Sequence, residues 1–415
     1  MKVLVVGGGG REHAIVWKLN QSPRISKLYC APGNGGIASL AECVDIPATD
    51  PEGIVNFAKD EQIDLTVVAP DDPLAMGMVD MLEANGLRAF GPRQRAAEIE
   101  SSKLFAKELM NKYGIATAHY QFFDEYDAAV RYLDQVDFPV VIKADGLALG
   151  KGVIIASCRK EAEEAVKAML LDNKFGKAGH RILIEEFLTG QEVSILVFTD
   201  GITFAPMVSS QDHKRACDND EGPNTGGMGA FSPSPHYTPE IAEYVEQKII
   251  KPTIHAMRKE DRLFQGVLYF GLILTDSGPK VLEYNARFGD PETQVVLPRL
   301  ETDLLEIMEA IIDQRLDQIK ISWNDKAAAC VVLASGGYPG SYDSGFPIEI
   351  RTKSECLLFH SGTKRTPQGL VTSGGRVLGV TALGSSLKEA LDKAYDQIDS
   401  IYFEGMHFRR DIGKR

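Results

Sequence analysis

The sequence predicts an α/β protein in three parts: an N-terminal parallel α/β domain over residues 1–100, a two-lobed core over 101–325, and a small α+β domain over 326–415. The first part alternates short apolar runs with helical patterns, which is typical of βαβ units that form a parallel sheet. The pattern changes near residue 101 and again after about residue 325. A chain of 415 residues is also too long for a single core, because domains usually hold ~100–200 residues.

Composition and charge exclude several classes of protein. The chain is 44% hydrophobic and 25% charged, as ordinary globular proteins are, and its net charge is −13. That charge argues against non-specific binding to nucleic acids or anionic membranes, because both require a basic surface. No apolar run in the sequence approaches the ~20 residues that span a bilayer, and the six cysteines are scattered without a C-x-x-C pair. We therefore expect a cytoplasmic protein with no nucleic-acid or membrane partner, and we expect a monomer.

Strands and helices alternate in the first part. Strands are predicted at 2–6, 27–30, 65–69 and 88–90, and helices at 11–19, 52–59 and 74–84. Ligands of such folds bind beyond the carboxyl ends of the strands.

A turn of four glycines, residues 7–10, ends the first strand. It does not match the dinucleotide fingerprint G-x-G-x-x-G, because Glu12 and His13 stand where the third glycine is required. The free N–H groups of a strand–glycine–helix turn can still hold one anion. An alternative is that the glycines only pack the strand against the helix. The candidate anion-binding residues are Gly8, Gly9, Gly10 and Arg11.

A second glycine loop, residues 145–152, joins two predicted strands at 140–143 and 153–156. It resembles a P-loop, but its spacing is one residue short and Gly152 replaces the hydroxyl that binds magnesium. A strand follows the loop, which favours a hairpin flap that closes over phosphates while Lys143 reaches them from the strand. A hairpin without function is the alternative. Around the flap we predict helices at 103–112, 127–135 and 160–171 and a strand at 181–185.

An acidic segment, Glu185-Glu186-Phe187-Leu188, lies between two predicted strands and is interpreted as a hinge between the two lobes. Unpaired backbone groups of such a hinge are available to an adenine edge, and Glu192 is suited to ribose hydroxyls. The alternative is an ordinary strand end with solvated carboxylates.

The strongest chemical signal is Glu283-Tyr284-Asn285-Ala286-Arg287 on a predicted strand. Side chains two positions apart share a strand face, so a carboxylate and an amide oxygen lie together. Such oxygens suit Mg²⁺, which takes few protein ligands, and the fork of Arg287 can bind a carboxylate or phosphate on the same side. The alternative is a half-buried strand with solvated polar residues. Strands of this lobe are predicted at 192–199, 204–208, 268–274 and 280–284.

A long polar segment, residues 209–230, is predicted to be a binding loop without regular structure, because long irregular loops in compact domains are usually functional or disordered. After it, the sequence predicts strands at 330–333 and 376–381. An amphipathic helix follows, with Leu387, Leu391, Ala394 and Ile398 on one face.

Together these segments resemble the ATP-grasp superfamily, through Lys143, the loop 145–152, the hinge 185–188, Glu192 and Glu283-x-Asn285. Other segments are more specific and resemble the phosphoribosylamine–glycine ligase (glycinamide ribonucleotide synthetase) family. These are residues 8–13 (GGGREH), 211–215 (QDHKR), 222–229 (GPNTGGMG), 285–292 (NARFGDPE) and 408–413 (FRRDIG). The resemblance covers essentially the whole chain.

The resemblance implies an ATP-grasp core with a mobile flap at about 121–188, between an N-domain and a C-domain. It implies ligation of glycine to 5-phosphoribosylamine through glycyl phosphate, in de novo purine biosynthesis, with ATP and Mg²⁺ or Mn²⁺ as cofactors. The ATP-binding residues would be Lys103, Lys143, Gly146, Gly150, Lys151, Gly152, Glu185, Glu186, Phe187, Leu188 and Glu192. The metal ligands would be Glu283 and Asn285, and the catalytic residues Arg287, Lys214 and Asp212. The substrate-binding residues would be Gly8, Gly9, Gly10, Arg11, Asp71, Asn224, Thr225, Gly226 and Asp290.

Three other functions stay open at this point. Another ATP-grasp ligase or carboxylase would share the ATP-binding segments and differ in the substrate loops. A nicotinamide oxidoreductase would need the dinucleotide fingerprint that the first turn lacks. A non-catalytic nucleotide-binding scaffold would have no need to keep Glu283, Asn285 and Arg287 together.

Overall fold

The computed structural model describes residues 1–147, 152–172, 176–351 and 355–414. Within them the N-terminal part is a parallel sheet, as predicted, with its strands in the order Glu42–Cys43, Lys27–Pro32, Lys2–Gly7, Leu65–Val68 and Ala89–Phe90. The accompanying helices are Gly10–Leu19, Pro51–Asp60, Asp71–Ala75, Met78–Ala84 and Gln94–Ser101, with a 3₁₀ turn at Ile37–Ser39. The central strands are buried on both faces, which explains their continuous apolar runs.

The prediction of one helix over 74–84 is wrong. Gly77 has a φ of 83°, so one helix ends at Ala75 and another begins at Met78. A right-handed helix cannot continue through a left-handed residue, which is a conformation that glycine adopts without steric cost. The break leaves Asp71 on the first turn of a short helix, just after the strand Leu65–Val68.

The first lobe of the core is an antiparallel sheet with its strands in the order Tyr120–Phe123, Ile182–Glu186, Val140–Ala144 and Val153–Ala156. Its helices are Tyr126–Tyr132 and Arg159–Leu170, with a 3₁₀ helix at Gly176–His180. The helix Lys103–Lys112 precedes it, and the Ser102 hydroxyl caps that helix by accepting from the backbone N–H of Phe105 at 3.2 Å.

The second lobe is an antiparallel sheet with its strands in the order Phe204–Pro206, Gln191–Thr199, Gly266–Thr275 and Gly278–Asn285. The helical segments of this part are Pro239–Val245, Glu246–Ile250, Lys251–Lys259, Thr293–Val296, Leu297–Arg299, Leu304–Ile312 and Leu316–Gln318. Gly271 pairs with Glu283 whereas Leu272 pairs with Val281, so Leu282 is the additional residue of a β-bulge. Bulges re-aim backbone groups and are common beside active sites.

The C-terminal sheet is antiparallel, in the order Gln211–Asp212, Gly229–Ser232, Ala327–Ala334, Arg376–Gly384 and Leu357–His360. The predicted amphipathic helix is observed as Leu387–Ile398, and it buries Leu391, Ala394 and Ile398. Smaller strand pairs are Arg215–Cys217 with Glu221–Asn224, Glu349–Ile350 with Ile401–Tyr402, and Thr363–Thr366 with Gly369–Thr372; a 3₁₀ turn lies at Asp218–Asp220.

The prediction of an irregular loop over 209–230 is therefore wrong in part. Its two ends, Gln211–Asp212 and Gly229–Ser232, are strands of the C-terminal sheet, and its middle is a short hairpin. The pairing partner Ala327–Ala334 lies about a hundred positions away, so local sequence could not reveal it. The two strands join this segment of the core to the C-terminal part.

None of the helices in the described residues combines the length and the apolar character that crossing a bilayer requires.

The buried His13 and the half-buried His360 lie where the helix Gly10–Leu19 meets the strand Leu357–His360. The backbone N–H of His360 donates to Nδ1 of His13 at 2.8 Å, and the ring centroids are 5.4 Å apart. Burial lowers the pKa of His13 to about 3 and that of His360 to about 4. Repulsion from a protonated His360 adds to the first shift, and repulsion from Arg365 adds to the second.

We expect this junction to make stability depend on pH. The pKa of His13 is depressed in the folded protein, so its contribution is complete above the ordinary value of 6.5 and is lost as the pH falls from there towards about 3. The slope of the unfolding free energy against pH, measured in urea, should be smaller in His13→Asn by about 1 kcal/mol per pH unit. Oδ1 of the asparagine can still accept the same hydrogen bond. His255→Asn changes an exposed histidine and should keep the parent's slope. The same slope in His13→Asn as in the parent would contradict this assignment.

Candidate active site

A cavity of about 840 Å³ opens where the three predicted parts of the chain meet. This volume suits a nucleotide together with a small second substrate. Residues 1–100 contribute Arg11 and Asp71 to its wall, and residues 326–415 contribute Tyr338 and Arg376. The predicted site residues on the wall are Arg11, Asp71, Lys103, Lys143, Gly152, Glu185, Glu186, Phe187, Leu188, Glu192, Asp212, Lys214, Asn224, Thr225, Gly226, Glu283, Asn285, Arg287 and Asp290.

A few predicted residues lie elsewhere. Gly150 and Lys151 are outside the described residues. Gly146 is not on the wall, but its carbonyl accepts from Nζ of Lys103 at 3.1 Å. Burial lowers the pKa of Lys103, although the carboxylates of Glu283 and Asp145 counteract that effect. Lys103 therefore joins the first turn of its helix to the start of the flap.

Two lysines share one carboxylate at the flap side of the cavity. Oε2 of Glu185 lies 2.9 Å from Nζ of Lys143 and 3.2 Å from Nζ of Lys107, and all three side chains are buried. Burial lowers the pKa of Lys107 to about 8, although Glu185 counteracts that effect. Nζ of Lys143 also donates to the carbonyl of the bulged Leu282 at 3.3 Å. These contacts fix the position of the Lys143 ammonium.

The hinge presents both polar and apolar groups. Glu186 accepts from the backbone N–H of His119, beside the first lobe, at 2.9 Å and from Nζ of Lys280, in the second lobe, at 3.3 Å. This carboxylate therefore contacts both lobes. Phe187 is 38% exposed and lies on the cavity wall, where its ring offers an apolar face to a planar ligand. Among the described residues, Oε1 of Glu185 is buried without a hydrogen-bond partner and is therefore available to a donor on a ligand.

The predicted metal ligands lie together on the wall. Burial would raise the pKa of Glu283, but Lys214, Lys143 and further cations outweigh it and lower that pKa, so the carboxylate is ionised. Nζ of Lys214 lies 3.5 Å from this carboxylate, and the guanidinium of Arg287 donates to Oδ1 of Asn285 at 3.1 Å. A charged carboxylate and an amide oxygen on one strand face, each held by a cationic donor, are a donor set that fits Mg²⁺.

Arg287 is held by a carboxylate that the sequence analysis did not identify. Its guanidinium lies 2.9 Å from Oε1 of Glu100, whose Oε2 accepts from the backbone N–H of Ala286 at 2.7 Å. Burial would lower the pKa of Arg287, but Glu100, Asp71 and further acidic neighbours raise it. Burial would likewise raise the pKa of Asp71, but Arg287 and Arg11 lower it. The predicted catalytic arginine and the predicted sugar-binding aspartate therefore belong to one charged cluster.

Asp212 and Lys214 form a second cluster. Nζ of Lys214 lies 3.1 Å from Oε2 of Glu192, in addition to its contact with Glu283. Burial raises the pKa of Asp212 to about 8; Lys214 opposes this shift and Glu292 reinforces it. A cationic ligand near Asp212 would restore its ionised form, because an opposite charge favours a carboxylate.

Buried polar residues that the sequence analysis missed lie beside these clusters, with Tyr269 and Glu292 on the cavity wall. The hydroxyl of Tyr269 is 2.9 Å from that of Ser194, which donates to Glu292 at 3.3 Å. Burial raises the pKa of Tyr269, and Glu292 adds to the shift, so the phenol stays protonated. Lys107 had a sequence signal, since it follows Lys103 by one helical turn. Glu292 also had a signal, since it ends the family-like segment 285–292, whereas we find none for Tyr269, which stands in an apolar strand.

The segment 222–229 is anchored by the C-terminal part. Arg376 donates to the carbonyl of Gly226 at 2.7 Å and lies 3.1 Å from Oδ2 of Asp290. The hydroxyl of Tyr338 accepts from the backbone N–H of Gly226 at 3.1 Å. The hydroxyl of Thr225 donates to the carbonyl of Lys214 at 2.9 Å, which braces the segment from inside.

The N-terminal glycine turn lies off the wall of the cavity. The backbone N–H of Gly9 donates to Glu12 at 2.6 Å, so one predicted anion-binding group already has a carboxylate partner. A Cβ on Gly8 would lie 2.4 Å from the carbonyl oxygen of Gly33, and a Cβ on Gly10 would lie 2.6 Å from the side chain of Gln294. These contacts explain the glycines by close packing, whereas Arg11 beside them does line the cavity. Anion binding by Gly8, Gly9 and Gly10 stays a prediction.

Three family models match the chain. They describe the phosphoribosylglycinamide synthetase N domain at residues 1–100, its ATP-grasp (A) domain at 101–293, and its C domain at 328–415. The chain belongs to the phosphoribosylglycinamide synthetase family. Its resemblance to that family in sequence motifs is thereby confirmed, as is an ATP-grasp ligase as the class of enzyme.

Relatives of the phosphoribosylglycinamide synthetase family match over the full length. The phosphoribosylamine–glycine ligase of Caldanaerobacter subterraneus subsp. tengcongensis is 51% identical over 413 residues, which cover 99% of each chain. The crystal structure of the ligase from Thermotoga maritima matches with a TM-score of 0.88 at 32% identity, and covers 100% of both chains. The biotin carboxylase domain of Hydrogenobacter thermophilus 2-oxoglutarate carboxylase, solved with MgADP and bicarbonate, has a TM-score of 0.74 at 16% identity, covering 98% of this chain and 91% of that one, and shows a shared fold.

Proposed function

We propose that the cavity joins glycine to 5-phosphoribosylamine through glycyl phosphate, with ATP as the phosphoryl donor, in de novo purine biosynthesis. The observation that carries this proposal is the convergence of three groups on one cavity. The first is the pair Lys143 and Glu185 beside the hinge, the second is the pair Glu283 and Asn285, and the third is the charged cluster around Arg287. A nucleotide site, a hard-metal site and an anion-binding arginine within one cavity are what carboxylate activation by ATP requires. We also propose that the chain acts as a monomer.

In the first step an oxygen of the glycine carboxylate attacks the γ-phosphorus of ATP. The bond from that phosphorus to the β,γ-bridging oxygen breaks, and ADP leaves. The residues of this chain position the reactants and neutralise charge, since phosphoryl transfer needs little else from a protein. Lys143 and Lys103 would face the phosphates, and the hinge with Phe187 would hold the adenine, whose amino group can donate to Oε1 of Glu185.

A divalent ion fits Glu283 and Asn285, whose oxygens are hard donors on one strand face. When bound there, Mg²⁺ or Mn²⁺ would supply positive charge to the phosphate oxygens.

In the second step the 1-amino nitrogen of 5-phosphoribosylamine attacks the acyl carbon of glycyl phosphate. The carbon–oxygen bond to the phosphate breaks, the amine loses one proton, and the amide forms. Arg287 and Lys214 would neutralise the acyl phosphate, and Asp212 would face the glycine ammonium, which keeps that carboxylate ionised. Asp71 and Asp290 would bind the sugar with Asn224, Thr225 and Gly226, beside Arg11.

ADP release tests the proposal. The parent enzyme should release ADP with ATP, Mg²⁺, glycine and freshly made phosphoribosylamine, and lose that activity when any one of them is omitted. Equal release without glycine or without the amine would contradict the ligase assignment and leave an ATPase or a different ligase.

Arg11 offers a test of the amine site. Arg11→Ala should raise the KM for phosphoribosylamine by about one to two decades, because a charge-assisted phosphate contact is worth about 1.5–3 kcal/mol. It should leave the ATP–glycine half-reaction intact, measured as scrambling of the β,γ-bridging oxygen of ATP with glycine alone. Arg24→Ala removes an exposed arginine outside the cavity as the control. A raised KM for ATP or glycine in Arg11→Ala would place Arg11 elsewhere in the site.

A further inference from the structure

Arg409, near the C-terminus, has a completely buried side chain. A buried guanidinium is costly unless charged and polar partners surround it. Residues 408–413 are one of the segments that resemble the family, yet they lie outside the cavity wall and the proposed reaction gives them no role.

The guanidinium of Arg409 joins the C-terminal segment to the middle of the polar segment 209–230. It donates to the carbonyl of Arg215 at 3.0 Å and lies 2.9 Å from Oδ1 of Asp220. Nε and Nη2 of the same guanidinium donate to Oδ1 and Oδ2 of Asp411, at 2.8 and 2.7 Å. Asp411 in turn accepts from the backbone N–H of Asn219 at 2.9 Å.

Further contacts tie the same two segments together. The backbone N–H of Arg410 donates to Asp218 at 2.7 Å, and the backbone N–H of Gly413 donates to Nε2 of His213 at 3.1 Å. Nε2 of His407 is 2.8 Å from the carbonyl of Ala216. Residues 213–220 are therefore held by the C-terminal segment through backbone groups of Arg215, Ala216 and Asn219 and through side chains of His213, Asp218 and Asp220.

The held segment carries part of the cavity wall. Lys214, Arg215 and Asp220 all line the cavity, and Asp212 lies just before them. The carbonyl that Arg409 binds belongs to the residue that directly follows Lys214. A shift of this backbone would therefore move Lys214 relative to Glu283 and Glu192. The elements that carry Lys103, Lys143 and Glu185 are separate from it.

We propose that Arg409 is a positioning residue of the ligase reaction, which fixes the segment 213–220 so that Asp212 and Lys214 face the reacting groups. The proposal rests on the proposed function above. An arginine is required because its planar fork reaches the carbonyl of Arg215 and two carboxylates at once, which a lysine ammonium cannot do.

The test compares Arg409→Lys with Arg410→Lys. Arg410 is the exposed neighbour, whose guanidinium lies over the ring of Phe408, so its substitution is the matched control. In Arg409→Lys we expect kcat/KM for glycine to fall by about 10- to 100-fold, because a displacement near 1 Å costs that much in a positioned site. The KM for ATP should change less than the KM for glycine, since Lys103, Lys143 and Glu185 lie on separate elements. Amide exchange should accelerate in residues 213–220 and stay unchanged in residues 183–188.

The outcomes separate the hypotheses. Parent-like kcat/KM for glycine in Arg409→Lys would overturn the proposal. An equal acceleration of amide exchange in residues 213–220 and 183–188 would overturn it as well, because it would indicate a role in stability alone. If Arg409→Lys does not fold, Asp411→Asn serves as the second variant, because it removes one of the carboxylates that pair with Arg409 and lies off the cavity wall. The same measurements apply, and a smaller change is expected. Lack of glycine-dependent turnover in the parent would contradict the proposed function instead, and amide exchange would then still report whether Arg409 holds the segment.

Discussion

Glu283→Gln is expected to lower kcat by about 10²-fold or more, because it removes the charged member of the oxygen pair that would hold the divalent ion. The substitution keeps the shape of the side chain. It leaves Lys214, Lys143 and their cationic neighbours without the carboxylate whose pKa they now lower. Folding should change little, since the side chain faces the cavity. The half-saturating concentration of Mg²⁺ in the ADP-release assay should rise along with the loss of kcat.

Glu349→Gln is the matched control for this experiment. Glu349 is an exposed carboxylate paired with Arg351 at 3.0 Å, and it is not among the residues that line the cavity. Its substitution should leave kcat and the magnesium dependence as in the parent. Near-normal kcat of Glu283→Gln at ordinary magnesium concentrations would remove Glu283 from the metal site.

Loss of Arg287 is expected to lower kcat by about 10²- to 10³-fold, which is the usual cost of removing one preorganised donor to a developing anion. Arg287→Ala alone would leave Glu100 buried and unpaired, so a loss of activity could reflect a loss of stability. The double variant Arg287→Met/Glu100→Gln avoids this, because a glutamine can still accept from the backbone N–H of Ala286. The double variant should also lose the oxygen scrambling of ATP with glycine, which Arg11→Ala retains.

The ion pair of Arg262 with Glu98 provides the control for Arg287 and Glu100. Glu98 lies on the helix Gln94–Ser101, as Glu100 does, and the pair lies outside the cavity wall. Arg262→Met/Glu98→Gln should keep kcat and the scrambling of the parent. If Arg287→Met/Glu100→Gln scrambled oxygen at the parent's rate, Arg287 would have no part in forming glycyl phosphate.

Much of the fold could be predicted because its signals are local. The buried strands of the N-terminal sheet are continuous apolar runs, and the helix Leu387–Ile398 repeats its apolar residues at helical spacing. The errors arose where a single residue or a partner distant in sequence determined the bounds of a helix or strand. Gly77 divides one predicted helix into two, and the strands Gln211–Asp212 and Gly229–Ser232 exist through pairing in the C-terminal sheet.

The candidate site divides in the same way. Glu283 and Asn285 were predicted as a pair because the period of a strand puts alternate side chains on one face, whatever surrounds it. The partners of the predicted residues could not be found from such a local period. Glu100 reaches the segment of Arg287 across 186 positions, and Arg409 reaches Arg215 across 194.

The sequence by itself determined the parallel N-terminal sheet, the paired strands Val140–Ala144 and Val153–Ala156, and the shared strand face of Glu283 and Asn285, because each depends on periodicity or on residue types a few positions apart. Tertiary structure alone decided that Lys107 shares Glu185 with Lys143, that Glu100 holds Arg287, and that Arg376 and Arg409 anchor the polar segment. The physical reason is that a buried charge requires a partner in space. Which residue becomes that partner is set by how the sheets pack, and not by distance along the chain.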